Sequence, residues 1–297
     1  MAVEAVSVTS TPENVGVPTG RKRPGLFRRF SRNPFAVAAL LYLILVIAAA
    51  VFAPAITAYD PNRIEMGATV LPPSADHWLG TDESGRDEFA RLLYGARISL
   101  TIGVAAMLLS VILGSAIGAL AGFFGSVVDA LTMRLTDAML SIPIFFFLLT
   151  VLAVFGSAVS TMIIAIALSS WMTAARVVRA EVLRTINLDY VAAARALGAG
   201  SWRTVLLHLL PSAVPSMMVA STIGVGQAIL TESALSYLGV GVQPPTASWG
   251  NMLSNAQNYF FPAPLLAIWP GMMILFTVLS FNFIGDSARD TLSPYQN

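Results

Sequence analysis

The sequence predicts an all-α polytopic membrane protein with six transmembrane helices. Of its 297 residues 56% are hydrophobic and only 11% charged, where soluble domains carry about 25% charge. The apolar residues gather into six long runs without Asp, Glu, Lys or Arg, each near the ~20 residues that a bilayer core requires. The basic residues collect on one side of those runs. No cysteine is present, which excludes disulfides, thiolate nucleophiles, zinc knuckles and iron–sulfur clusters.

Residues 1–34 form a tail ahead of a membrane domain spanning 35–295. Residues 1–20, rich in Thr, Val, Pro and Ser, have no apolar period and are expected to be disordered. Between 21 and 33, Leu26, Phe27 and Phe30 alternate with basic residues, which suits a stretch lying on anionic membrane lipid or one that only enforces topology. The first span, 35–56, ends in a Val51-Phe52-Ala53 sequence resembling a signal-cleavage site, but the run is too long and Pro54 would follow the cut, so it is read as retained.

The second span covers 98–124. Within it Gly114, Gly118 and Gly122 share one helical face and admit close backbone approach, within the subunit or across a dimer interface. Gly156 and Ser157 divide the third span, 138–155, from the fourth, 158–175. The fifth, 212–231, follows Pro211, and the sixth covers 265–284. Pro143, Pro215 and Pro270 are expected to bend helices whose neighbours satisfy the freed carbonyls. The segment 232–264 has no Lys, Arg or Asp and many Gly, Pro and aromatic residues, so it is expected to lie on or dip into the membrane.

Six spans place both termini on one side, and the basic residues say which. Arg21, Lys22, Arg23, Arg28, Arg29, Arg32, Arg134, Arg176, Arg179, Arg184, Arg195, Arg203 and Arg289 share one face, 13 of the 17 Lys and Arg. Arg63, Arg86, Arg91 and Arg97 lie opposite, among Asp60, Glu65, Asp76, Asp82, Glu83, Asp87 and Glu88. Both termini are therefore expected to be cytoplasmic.

Several chemistries are missing. Gradient-driven transporters bury ionisable residues at mid-membrane, whereas Asp137, Glu232 and Asp286 fall at span ends, where water is expected to reach them. His77 and His208 fall on opposite faces and cannot share a metal. The sole lysine, Lys22, lacks the glycine pattern of a phosphate loop. The spans offer serines but neither His nor Lys to activate one. Transport would draw its energy from another chain.

Between the fourth and fifth spans, in the loop 176–211, Asp189 is expected to cap a short alanine-rich helix that Gly198 terminates, and Ser201 to cap a second. Ala192, Ala193, Ala194 and Ala196 make a slim rod with Tyr190 and Leu197 as apolar contacts. Two readings stand: a rod for a groove on a cytoplasmic partner, or an interfacial helix on lipid.

This loop resembles the EAA loop of binding-protein-dependent ABC importers, with Ala193, Ala194, Gly198, Leu210 and Pro211 at matching spacing. The glutamate of the pattern is replaced by Ala192, and His208 stands where Ile is usual. The runs His77-Trp-Leu-Gly80-Thr81-Asp82-Glu-Ser-Gly85-Arg86-Asp87 and Tyr94-Gly95-Ala96-Arg97-Ile-Ser-Leu100 are similar to C-type permease subunits of dipeptide and oligopeptide importers. So are Glu232 through Gly239, Gln243-Pro-Pro, Ser248-Trp-Gly250 and Asn282 through Leu292, and the likeness covers residues 30–295.

The resemblance implies a type I importer permease fold in a bacterial inner membrane. It also implies a heterodimer with a second permease, which would carry the fuller motif, two cytoplasmic ATPases holding ATP and Mg, and an extracytoplasmic substrate-binding protein. This chain would bind no cofactor and catalyse nothing. Asp189, Tyr190, Ala192, Ala193, Ala194, Arg195, Leu197, Gly198 and Pro211 would form the coupling site. Asp82, Arg86 and Asp87 either pair with the binding protein or form a solvated charge cluster. Peptide is the implied substrate, with nickel, glutathione or another small solute as alternatives; a secondary transporter and a non-transporting scaffold are the readings from other classes. No nucleic-acid partner is expected.

Overall fold

A computed structural model describes residues 33–292; the basic stretch from Arg21 to Arg32, and the tail before it, lie outside the described residues. Helix α1, Pro34–Val51, starts where the Asn33 side chain accepts hydrogen bonds from the Phe35 and Ala36 amides and Pro34 occupies the first turn. Its Leu41, Ile44 and Leu45 remain exposed, a face left to lipid, while Ala36, Leu43 and Val46 pack inward. The chain then crosses an irregular segment to α2, Glu88–Phe124, whose 37 residues make a rod of about 56 Å. That is nearly twice the ~30 Å of a bilayer core, so the helix starts ten residues before the expected span and projects from the membrane.

Helix α3, Ser126–Ser141, and α4, Ile144–Phe155, meet at an angle of 84°. The expected third span, 138–155, is therefore not one continuous helix. Pro143 stops the first helix, and α4, with 12 residues, rises only about 18 Å. Together α3 and α4 form a broken span or a re-entrant elbow. Helix α5, Val159–Thr185, runs ten residues past the expected fourth span. After the short helix α6, Asp189–Ala196, the turn Ser201–Thr204 passes through a π-helical stretch, Val205–Leu209, into α7, Leu210–Tyr237. The Leu210 amide bonds back five residues to the Val205 carbonyl. The wider turn lies just ahead of Pro211, whose ring crowds the carbonyl four residues before it and supplies no donor. The loop expected over 176–211 thus shrinks to the residues around α6. Helix α8, Trp249–Ala256, and α9, Leu265–Leu292, complete the described chain.

Helices α2 and α5 form the central packed pair, joined by α7, with α9 and α1 outside it. The glycine stripe lies in that pair: a Cβ on Gly114 would stand 2.6 Å from the Trp171 carbonyl oxygen, and one on Gly122 2.8 Å from Val182. Gly118 faces the Ala175 backbone. Of the two settings open for this stripe, these contacts lie within the subunit.

Candidate functional site

Two polar regions sit at opposite ends of α2. At the carboxyl end, α6 is anchored by Val191, which is fully buried among Val178 and Val182 of α5, Val205 and Leu209 of the π turn, and Ala213 of α7. The Arg195 guanidinium lies 5.2 Å over the Phe123 ring near the end of α2, and the Tyr190 ring meets His208 edge-on. Most of α6 faces outward. Asp189, Tyr190, Ala192, Ala193, Arg195, Leu197 and Gly198 are exposed and Ala194 is half-buried, with Leu197 at 90% exposure. Pro211 is exposed as well, at the start of α7.

The caps differ from expectation. Asp189 is the first helical residue, Leu188 precedes it in extended backbone, and no side chain caps the helix. Gly200, not Ser201, occupies the cap position before the next turn. Gly198 does end α6: its φ is +87°, its amide bonds to the Arg195 carbonyl and the Ala199 amide to that of Ala194. This left-handed closure favours glycine for its backbone alone, since nothing lies within 4 Å of a Cβ built there.

Polar clasps brace the helices behind α6. Arg179 of α5 binds Asp129 of α3 with both Nε and Nη2, Arg176 binds Asp137, and Ser216 of α7 donates to the Glu181 carboxylate at 2.6 Å. In sequence these arginines mark only topology, and their partners do not show. The signal was Asp129 and Asp137 eight residues apart on α3, opposite Arg176 and Arg179 on α5.

At the amino-terminal end of α2, Asp82, Arg86, Asp87, Glu88 and Arg91 are all buried. Asp82 accepts from Arg86 Nε at 2.6 Å and from the Ser84 and Arg86 amides, and forms an ion pair with Arg91 Nε at 3.2 Å. Glu83 takes a second Arg86 nitrogen at 2.8 Å. Asp87 caps α2 through the Ala90 amide at 2.7 Å and takes His77 Nδ1 at 2.8 Å. The solvated cluster expected of Asp82, Arg86 and Asp87 is corrected: all three side chains are buried and hold the segment 57–87 folded.

Glu232 is a further correction. It is fully buried in α7, out of reach of bulk water, and accepts from Ser99 of α2 at 2.9 Å and Ser236 at 2.8 Å. The Ser99 oxygen in turn accepts the Trp249 amide, and the Ser236 oxygen the Val242 amide. Through two serines one carboxylate ties the segment after α7, and α8 with it, to α2. The Trp249 indole closes the joint by donating to the Leu92 carbonyl at 3.2 Å.

The family model described as "Binding-protein-dependent transport system inner membrane component" matches residues 114–295, more than half of the chain. The chain belongs to that family. The "N-terminal TM domain of oligopeptide transport permease C" matches residues 25–73. The oligopeptide transport system permease protein OppC of Bacillus subtilis is 40% identical over 266 residues, 90% of this chain and 87% of that protein. The glutathione transport system permease protein GsiD of Pectobacterium atrosepticum is 39% identical over 269 residues, 90% and 89%. A crystal structure of an amino acid ABC transporter shares the fold, with a TM-score of 0.51 over 66% of this chain and 91% of that one, at 17% identity.

Proposed function

We propose that this family member is one half of the channel of an ATP-driven peptide importer, in a bacterial plasma membrane with both termini cytoplasmic. It works beside a second permease, two ATPase subunits and an extracytoplasmic substrate-binding protein. The carrying observation is α6: one buried residue, Val191, fixes it to α5 and α7, while Asp189, Ala192, Ala193 and Leu197 stay exposed. Exposed Leu197, Tyr190 and Trp202 make an apolar edge that suits a groove on another protein. The distribution of basic residues supports placing this edge in the cytoplasm.

In this reading α6 is a lever. Movement of the ATPases on binding ATP and Mg pushes α6, and Val191 passes the push to α5 and α7, which the close α2–α5 packing at Gly114, Gly118 and Gly122 moves with α2. The chain contributes no phosphate loop of its own, and Glu232 is held by serines in a closed network, so nothing in this reading asks it to relay protons. Peptide is favoured as cargo because the permease C amino-terminal domain and the OppC relative both point to it; glutathione is the second reading, on the GsiD relative.

The test is Gly198→Val in the reconstituted importer. A left-handed backbone costs a non-glycine residue about 1–2 kcal/mol, enough to shift the end of α6. Uptake of labelled dipeptide should fall at least tenfold while the ATPases still hydrolyse ATP. Uptake at the wild-type rate would remove α6 as the lever, and uptake driven by an ion gradient without ATPases would replace the reading altogether.

A further inference from the structure

The outer segment contains a cavity of about 240 Å³ with no part in the account so far. Its walls include Tyr59, Trp78 and Phe89, with Asp76 and Asp87 beside them. The Trp78 and Phe89 rings stand 5.2 Å apart, and Tyr59 stacks obliquely on His77, the residue that holds Asp87. Asp87 is buried and fixed from two sides, so this wall is preformed. Asp76 is exposed and joins no ion pair among the described residues.

Aromatic faces with carboxylates alongside attract a cation by ring quadrupole and by charge. The surroundings add to this field: Arg86 and Arg91 are engaged by Asp82 and Glu83, leaving the segment with more acidic than basic groups. The volume lies below the roughly 300–1,000 Å³ of small-molecule sites, yet admits one long side chain. Trp78 is 62% exposed, and tryptophan, tyrosine and arginine are the residues enriched among those that anchor protein interfaces.

We infer that this pocket seats a lysine or arginine side chain presented by the substrate-binding protein when it docks. The inference rests on the delivery-protein reading above and gives to Tyr59, Asp76 and Trp78 the contact expected of Asp82, Arg86 and Asp87, of which Asp87 alone lines the pocket.

The experiment reconstitutes the whole importer in nanodiscs and titrates it with its loaded binding protein, reading stimulated ATP hydrolysis. Trp78→Ala should raise the half-stimulating concentration about tenfold, and Asp76→Lys should raise it further, with the plateau regained at high concentration. Replacing, one at a time, the basic surface residues of the binding protein by Glu should find one that restores docking to Asp76→Lys. Unchanged half-stimulating concentrations in both variants overturn the inference. So does a shift confined to the substrate dependence of uptake, which would make the cation part of the cargo. A wild-type complex indifferent to every concentration of binding protein overturns the importer reading itself, an outcome distinct from silent variants in a responsive complex.

Discussion

At one end of α2, Asp82, Arg86, Asp87 and Arg91 are turned inward, Asp82 alone receiving two arginines and two amides. At the other end α6 keeps one side chain inside and leaves Leu197 and Tyr190 in the open. The ion network of the first region is complete within the chain, since removing Asp82 strands two buried arginines. The second is incomplete, because an exposed apolar edge has its use against another surface. Buried charge specifies one arrangement of a segment that has little hydrophobic core of its own. An exposed rod on a single anchor can be moved by what grips it.

The comparison breaks first, and most severely, at Asp82→Ala. The change leaves Arg86 and Arg91 without their shared carboxylate, and removing one member of a buried ion network costs about 3–5 kcal/mol. Thermal unfolding of the purified complex in detergent should show an early loss of the 57–87 segment, detectable as new protease cleavage there. An unchanged cleavage pattern would mean that the network does not hold the segment.

Glu232→Leu comes second. Ser99 and Ser236 lose the acceptor of their hydroxyl hydrogens in a buried setting, a cost of about 1–3 kcal/mol. The segment 238–256 should become cleavable while the α2–α5 pair stays intact. Cleavage confined to the cytoplasmic side, or none, would separate Glu232 from the joint at α8.

Much of this architecture was legible in sequence because lipid imposes a plain rule: long uncharged runs become helices, and α1, α5, α7 and α9 lie over runs visible by eye. A bend at Pro143 was legible, but not its size, since a run of apolar residues looks the same whether its helix is slightly bent or turned through 84°. Composition likewise shows Asp82, Arg86 and Asp87 only as charges, open to a partner or to water. Their pairing is set by the fold of 57–87, where Gly85, with φ of +76°, packs on the Glu65 backbone. Glu232 misled for a similar reason. A carboxylate at the end of an apolar run is ordinarily wet, and only the approach of Ser99 from a helix over 130 residues earlier makes it dry. Gly198 was readable because its signal is local, a backbone demand that no distant residue alters.

The smallest effect on stability is expected at Leu197→Asp, and this variant sharpens the comparison most. At 90% exposure the leucine touches little of its own chain, and such surface changes fall within about 0.5 kcal/mol. Its melting temperature in the isolated permease should therefore match wild type. An apolar edge seated in a partner's groove behaves otherwise, because a charge placed there must shed water without finding a counter-ion. Co-purification of the ATPase subunits should fall, and uptake with it, in a protein that is folded by every other measure. Retained assembly alongside normal uptake would show that α6 meets its partner by another face. Loss of stability would show that the rod packs against its own subunit, and the contrast between the two ends of α2 would then disappear.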